Sequence, residues 1–329
     1  MTGTRLRAAV VGAGFVGGIH ARALAEHSDT ELVAICARTP TRAEPLAATF
    51  GVRAVLSVED LLASERLDLV CICTGNDDHV EPSLRAIESG AHVFVEKPMA
   101  FRLHDARRMV EAAESRGVRL GVNFNHRFAE PYRRALAFVR SDAFGRPAYT
   151  AIKFAGDLYG GLNDPYCMLI ETQGHSFDLL RLFGGEIAEI STFLTDPREI
   201  GVYTSAAISL RFESGAVGSL VGSWDSSYDQ PSAVTMEIAG TNGRAVVDNV
   251  VDAVRLHRHE RTAFEEWRPG LFRTDQRDFW RTIDAHLAAF VSSIVEGTAP
   301  PVTGRDGLRA LELTYAAIRS FEEGRSVPA

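Results

Sequence analysis

Among 35 basic residues in this 329-residue chain, only two are lysines, Lys97 and Lys153. Arginine keeps its proton at physiological pH, whereas lysine can share or release one. A chain that otherwise builds its cations from arginine draws attention to the places where it uses lysine. Lys97 sits in Glu96-Lys97-Pro98, directly after the apolar run His92–Val95. There an ammonium group could hydrogen-bond a substrate hydroxyl or ketone, and Pro98 would rigidify the turn; a surface salt bridge is the plainer alternative. A second set is Glu171, His175 and Asp178, spaced i, i+4, i+7, which places all three on one helical face. A carboxylate beside an imidazole fixes its tautomer and stabilises its charged form, as proton transfer requires. The same spacing also serves a solvated face, a satisfied core network or a metal site. No further His or Cys cluster completes a metal site, and His257 and His259 read as a solvated strand edge.

A third set binds rather than reacts. Gly12, Gly14 and Gly17 follow the apolar run Leu6–Val11 and precede the helical stretch Ile19–Leu24. Strand, glycine turn and helix in that order suit a dinucleotide pyrophosphate. The glycines allow a sharp turn, close backbone approach and tight helix–strand packing, and the helix N-terminus faces the anion. The second strand ends Ile35-Cys36-Ala37-Arg38-Thr39, with no carboxylate to hold the adenosine ribose hydroxyls. Ala37 leaves room for a 2′-phosphate and Arg38 offers a planar cation, so the pattern favours NADP over NAD; an ordinary exposed arginine is the alternative.

These residues need a scaffold, and the pattern supplies one. Strand-like runs at Leu6–Val11, Leu32–Ala37, Leu69–Thr74, His92–Glu96 and Leu120–Phe124 alternate with helical segments near 17–26, 40–49, 58–63, 79–89 and 102–116. That repetition predicts a doubly wound parallel sheet with helices on both faces. Gly90 and Gly117 fall at helix ends. Beyond residue 124, strand-like stretches follow one another: Ala148–Phe154, Ile187–Thr195, Thr204–Phe212, Ala216–Ser223, Ala233–Ala239 and Arg244–Asp248. Glu213-Ser214-Gly215 and Thr241-Asn242-Gly243 supply turns, so this half predicts an α+β domain with a mostly antiparallel sheet. Asp164, Pro165 and Gly184-Gly185 bound one helix carrying Glu171, His175 and Asp178; two more helices are expected near 275–296 and 305–323. The expected division is a dinucleotide-binding domain over 1–124 and a second domain over 125–329, with the helix near 305–323 able to pack back on the first.

Composition sets the outer bounds. A formal charge of −8 argues against nucleic acid or an anionic membrane surface as the main partner. No apolar run approaches membrane-spanning length and no leader-like segment is evident, so a cytoplasmic location is expected. Cys36, Cys71, Cys73 and Cys167 read as small buried hydrophobes.

Taken together, Gly12-Ala13-Gly14-Phe15-Val16-Gly17, Glu96-Lys97-Pro98 and Glu171-x-x-x-His175-x-x-Asp178 resemble the glucose–fructose oxidoreductase/inositol dehydrogenase (Gfo/Idh/MocA) family. Thr74-Gly75-Asn76-Asp77-Asp78-His79 is similar to the loop after its third strand, and Val122–Phe128 to its interdomain segment. The resemblance covers essentially the whole chain. It implies a Rossmann domain followed by an open-sheet domain, with substrate between that sheet and the nicotinamide. It assigns cofactor contacts to Gly12, Gly14, Phe15, Val16, Gly17, Ala37, Arg38, Thr74, Asn76, His79, Glu96, Lys97, Asn125 and Arg127.

The family's catalytic lysine falls on Lys97 and its catalytic histidine on His175. Its usual aspartate falls on Glu171, one methylene longer, while Gly75 replaces a common proline and Ala37 the common ribose-binding aspartate. The implied activity is interconversion of a secondary alcohol and a ketone on a sugar, a sugar derivative (nucleotide-linked ones included) or a cyclitol, with NADP or NAD. A homodimer or homotetramer formed through open sheet faces is implied as well. Polar and aromatic residues in Asp157–Asn163 and Trp224–Tyr228 are candidate substrate contacts. Two alternatives are an NAD-dependent glycosidase with transient oxidation and a non-catalytic dinucleotide sensor; intact Lys97 and His175 argue against the sensor.

Overall fold

Short apolar runs separated by amphipathic stretches give the first half its form in the computed structural model, which describes residues 5–158 and 161–329. In order these are β1 (Leu6–Val11), α1 (Phe15–Glu26), β2 (Thr30–Cys36), α2 (Pro40–Phe50), β3 (Arg53–Val55), α3 (Val58–Ser64), β4 (Leu69–Ile72), α4 (Val80–Glu88), β5 (His92–Val95), α5 (Leu103–Arg116) and β6 (Leu120–Val122). The six strands pair in parallel, in the order β3-β2-β1-β4-β5-β6, the arrangement of a dinucleotide-binding sheet. Strands covered on both faces must be apolar throughout, and β4 is buried along its whole length. The short β3 was not anticipated: Arg53-Ala54-Val55 carries one buried side chain, too little for a visible apolar run.

The remaining elements are α6 (Glu130–Val139), β7 (Pro147–Ala155), α7 (Gly174–Gly184), β8 (Ile187–Thr195), β9 (Ser205–Phe212), β10 (Val217–Ser223), β11 (Val234–Gly240), β12 (Gly243–Asp248), β13 (Ala253–Arg258), β14 (Phe264–Trp267), α8 (Thr274–Arg277), α9 (Arg281–Glu296), α10 (Gly304–Glu323) and β15 (Val327–Pro328). Their nine strands form one sheet, β14-β13-β12-β11-β7-β10-β9-β8-β15, antiparallel except where β10 runs parallel to β7. β9 alternates buried and exposed residues strictly, as a strand with one face on a core does. Among the described residues no helix is long and apolar enough to cross a membrane.

The chain forms two compact units, and the division is not contiguous. The first runs through Asn125 and takes in Thr282–Arg309; the second comprises His126–Arg281 and Ala310–Ala329. The expectation kept 125–329 together, with only the helix near 305–323 able to pack back on the first domain; the segment that joins the first unit is instead Thr282–Arg309. The cause is packing of α9: Leu287, Phe290 and Val291 are buried in the first unit's core with Ala8, Val10 and Phe94. Phe290 lies 5.1 Å, centroid to centroid, from Phe94. In sequence α9 is an amphipathic helix like any other, and nothing local says which sheet it covers. Helix α10 divides between the units at Arg309 and Ala310.

Candidate active site

The glycine turn between β1 and α1 is built by close approach. Gly12 has φ +115°, and a Cβ there would lie 2.2 Å from the carbonyl oxygen of Cys73. A Cβ on Gly17 would lie 1.9 Å from the carbonyl oxygen of Gly12, so helix and turn touch backbone to backbone. Gly14, at the N-cap of α1, meets nothing within 4 Å and faces open space. No side chain caps that helix start and no acidic residue occupies its first turn, which leaves the positive end of the helix suited to an anion.

A cleft of about 510 Å³ opens at this turn, lined by Gly12, Gly14, Ala37, Arg38, Thr74 and Asp78 among others. Its position at the carboxyl ends of β1 and β2, its volume and the open N-terminus of α1 fit the adenosine and phosphate end of a dinucleotide. Phe15 is 68% exposed and Val16 partly buried beside it. Arg38 donates through Nη2 to Asp78 Oδ2 at 2.6 Å. Cys36 and Cys73 line the same cleft, but burial pushes the Cys36 thiol up to about 11 and the Cys71 and Cys73 thiols higher still. All four cysteines are buried and unbridged.

His79 stands apart from the cleft. It is fully buried, with Nδ1 2.7 Å from the Pro98 carbonyl oxygen and Nε2 3.2 Å from that of Thr74. Burial lowers its pKa, outweighing the carbonyl of Pro98 and the charge of Glu96. One ring therefore ties the loop after β4 to the turn after β5. Asn76 is partly buried in that loop.

Behind Lys97 lies a buried polar network. Glu96 Oε1 accepts from His20 Nε2 at 2.7 Å and from Asn123 Nδ2 at 2.6 Å. His286 Nδ1, on α9, lies 3.0 Å from Asn123 Oδ1. Burial alone would raise the Glu96 pKa, but the hydrogen bonds from His20 and Asn123 and the nearby charges of His20 and Lys97 hold it below the ordinary carboxylate value. Lys97 itself is partly buried and joined to Pro98 by a cis peptide bond. Asn125 donates to Thr282 Oγ1 at 2.6 Å and is buried. Sequence reasoning missed His20, Asn123 and His286. His20 falls eight residues past Gly12, next to Ile19 in the helical stretch Ile19–Leu24, and a histidine placed there just after the glycine turn is the signal that was available.

In the second unit the expected single helix over Asp164–Gly184 is interrupted. Asp164 Oδ1 accepts from the Tyr166 N–H at 2.8 Å, but Met168–Thr172 is a π-helical turn and α7 starts at Gly174. The wider turn breaks the α-helical relation assumed between Glu171 and His175, whereas His175 and Asp178 share α7. π-Turns of this kind concentrate at functional sites. Glu171, His175 and Asp178 are all buried, at 2%, 5% and 1% exposure.

A short 3-10 turn, Asn125–Phe128, brings further chemistry against α7. Arg127 donates Nε to Asp178 Oδ2 at 2.7 Å and Nη2 to Asp178 Oδ1, a bidentate pair. The Arg127 guanidinium, assigned to cofactor by the resemblance, thus engages Asp178. The neighbouring His126 stacks on His175 with ring centroids 4.1 Å apart and planes 3° from parallel, an arrangement no spacing in the sequence reveals. Phe154 and Phe279 close around His126.

Of the candidate substrate contacts, Trp224 is fully buried, donating Nε1–H to Thr172 Oγ1 at 2.9 Å, and is a core residue rather than a contact. Tyr228 is 43% exposed, its ring where a Cβ on Gly156 would fall. Tyr159 and Gly160 lie outside the described residues. His257 is partly buried, its Nε2 2.9 Å from the Arg261 carbonyl oxygen, and His259 is exposed.

Residues 6–124 match the model of an oxidoreductase family with an NAD-binding Rossmann fold, and residues 132–246 match the Gfo/Idh/MocA C-terminal domain. The chain is 29% identical to myo-inositol 2-dehydrogenase of Thermotoga maritima over 98% of both chains. It is 29% identical to 1,5-anhydro-D-fructose reductase of Ensifer adhaerens over 90% of both. A crystal structure of a probable dehydrogenase from Thermotoga maritima superposes with a TM-score of 0.83 at 28% identity, covering 98% of this chain and 99% of that one.

Proposed function

The chain belongs to the Gfo/Idh/MocA oxidoreductase family, and on that premise we propose that it interconverts a secondary alcohol and a ketone on a sugar or cyclitol, using a nicotinamide dinucleotide. The observation that carries this reading is the glycine-lined cleft at the open N-terminus of α1, in a chain that aligns end to end with a cyclitol dehydrogenase. Gly12, Gly14 and Gly17 would hold the pyrophosphate, with Ala37, Arg38 and Thr74 at the adenosine side. When bound, the nicotinamide supplies the hydride acceptor or donor; the protein's part is positioning and proton transfer.

His175 is the general acid/base in this reading. Its imidazole is sequestered from water, and the planar stack with His126 fixes the ring plane. Lys97 hydrogen-bonds the reacting oxygen and stabilises its alkoxide character. Glu96, anchored by His20 and Asn123, fixes the turn that carries Lys97. Glu171 contributes a buried carboxylate just ahead of α7.

We read the cofactor preference as NADP, supported by Arg38 and Arg42 lining the cleft and by the absence of a carboxylate at Ala37. Arg38→Ala should lower the preference for NADPH over NADH in binding titrations; equal losses for both would show that Arg38 does not read the 2′-phosphate. A dimer or tetramer is proposed through the open sheet face. Phe193 and Val221, 72% and 46% exposed, flank Ala207 in register there. Light scattering of the eluting protein tests it, and a monomer at micromolar concentration would refute it. The reaction itself is tested with sugars, cyclitols and nucleotide-linked sugars offered with either cofactor. Absence of turnover across the panel, in protein that binds nicotinamide cofactor, would count against the substrate class.

A further inference from the structure

The guanidinium that would meet a 2′-phosphate already has an acidic partner. Arg38 Nη2 and Asp78 Oδ2 are 2.6 Å apart, and both residues line the cleft. Asp78 is not a wandering surface carboxylate. Its N–H donates to the Gly75 carbonyl at 2.8 Å, and its own carbonyl accepts from Thr74 Oγ1 at 2.9 Å. The next residue, His79, is buried and tied to the Pro98 carbonyl. The loop after β4 therefore presents the Asp78 carboxylate from a fixed backbone to Arg38, two positions past the end of β2. Around them, Arg42 adds a positive charge while Asp77 and Glu81 add two more negative ones, so this end of the cleft is not a cationic pocket.

A carboxylate and a phosphate monoester offer a guanidinium the same kind of charged oxygen acceptors. Asp78 thus holds, on Arg38, the place that the adenosine 2′-phosphate of NADP would need. NAD, with a neutral 2′-hydroxyl, leaves the ion pair undisturbed. NADP must share Arg38 with Asp78 or displace it, and in either case brings about 1.5 to 2 negative charges close to that carboxylate.

We propose that Asp78 is a specificity-determining residue that restrains binding of NADP(H), by competing with the 2′-phosphate for Arg38. The inference rests on the reading of Arg38 as the 2′-phosphate contact. Its size follows from exposure. Arg38 is 84% and Asp78 46% exposed, and ion pairs this open to water change equilibria by only a few-fold. Repulsion of the phosphate by the released carboxylate adds to this over a separation well inside the screening length of about 8 Å. Removing the Asp78 charge should therefore raise the ratio of NADPH to NADH affinity by about three- to tenfold.

The test is a double-mutant cycle read by calorimetric titration of NADPH and NADH into the wild type, Asp78→Asn, Arg38→Ala and the double variant. Asn preserves the main-chain contacts of Asp78, which involve no carboxylate. The expected result is a higher NADPH-to-NADH affinity ratio in Asp78→Asn, and a clearly smaller gain when Arg38 is already alanine. If Arg38→Ala leaves the ratio unchanged, the reading of Arg38 fails, and this inference with it. If Arg38→Ala lowers the ratio but Asp78→Asn leaves it within twofold of wild type or lowers it, Asp78 orients Arg38 for the phosphate and the proposed restraint is overturned.

Discussion

Phe290→Ala in α9 would remove a ring that is fully buried in the core of the first unit. Truncating a buried Phe costs about 3–5 kcal/mol when the site cannot collapse. Here collapse is hindered, because the residue beneath the ring is Gly121, which has no side chain to follow. A Cβ on Gly121 would lie 2.6 Å from Phe290 Cε2 and 3.2 Å from Phe94 Cδ2. Gly121→Ala alone should therefore destabilise by about 1–3 kcal/mol through overpacking, reversing the gain that glycine replacement brings where space allows. In the double variant the methyl introduced by Gly121→Ala fills part of the hole left by the ring, so the two losses should fall short of additivity by about 1–2 kcal/mol. Because two units need not unfold together, the readout should be local: native-state hydrogen exchange of the β5 and β6 amides. Additive losses within about 0.5 kcal/mol would show that Phe290 is not seated on Gly121. The placement of α9 in the first unit would then be wrong.

Other consequences concern the site residues. Glu96, whose pKa is depressed in the folded state, contributes stability that is present above the ordinary value of 4.5 and is lost as pH falls below it; Glu96→Gln should flatten acid denaturation in that window, and an unaltered acid limb would contradict the network. Arg127→Leu leaves the buried Asp178 without its guanidinium and should cost about 3–5 kcal/mol, most of it regained in Arg127→Leu/Asp178→Leu; thermal unfolding of the single and double variants checks this. Gly17→Ala must push α1 off the turn and should lower both melting temperature and cofactor affinity, whereas Gly14→Ala, with open space at its Cβ, should keep its melting temperature and lose affinity alone. Equal behaviour of the two glycine variants would sink that distinction.

Most of the first unit was legible because its determinants are local. Fully buried parallel strands are apolar runs, and a dinucleotide turn needs glycines where a Cβ would strike Cys73 or Gly12. The antiparallel half was legible wherever hairpin turns such as Glu213-Ser214-Gly215 join consecutive strands, as β9 and β10 pair. What escaped was set by long-range packing. The burial of α9 against Phe94, the link from His286 through Asn123 to Glu96, and the stack of His126 on His175 join residues far apart in sequence. The π-turn at Met168–Thr172 escaped for another reason: a one-residue widening of a helix leaves the apolar pattern nearly intact while changing which side chains align. Chemistry-bearing residues can thus be nominated from type and spacing, but their partners are chosen by the fold.

The central claim, that Lys97 and His175 act in an alcohol–ketone interconversion, is tested most directly by one comparison. The best substrate from the sugar and cyclitol panel is turned over by wild type, Lys97→Ala and His175→Ala, following reduced nicotinamide by absorbance, with cofactor affinity titrated in parallel. The account predicts that each variant still binds cofactor but loses about a hundredfold or more in kcat, the usual scale for removing a group that handles the proton. Turnover by either variant at near the wild-type rate would contradict it.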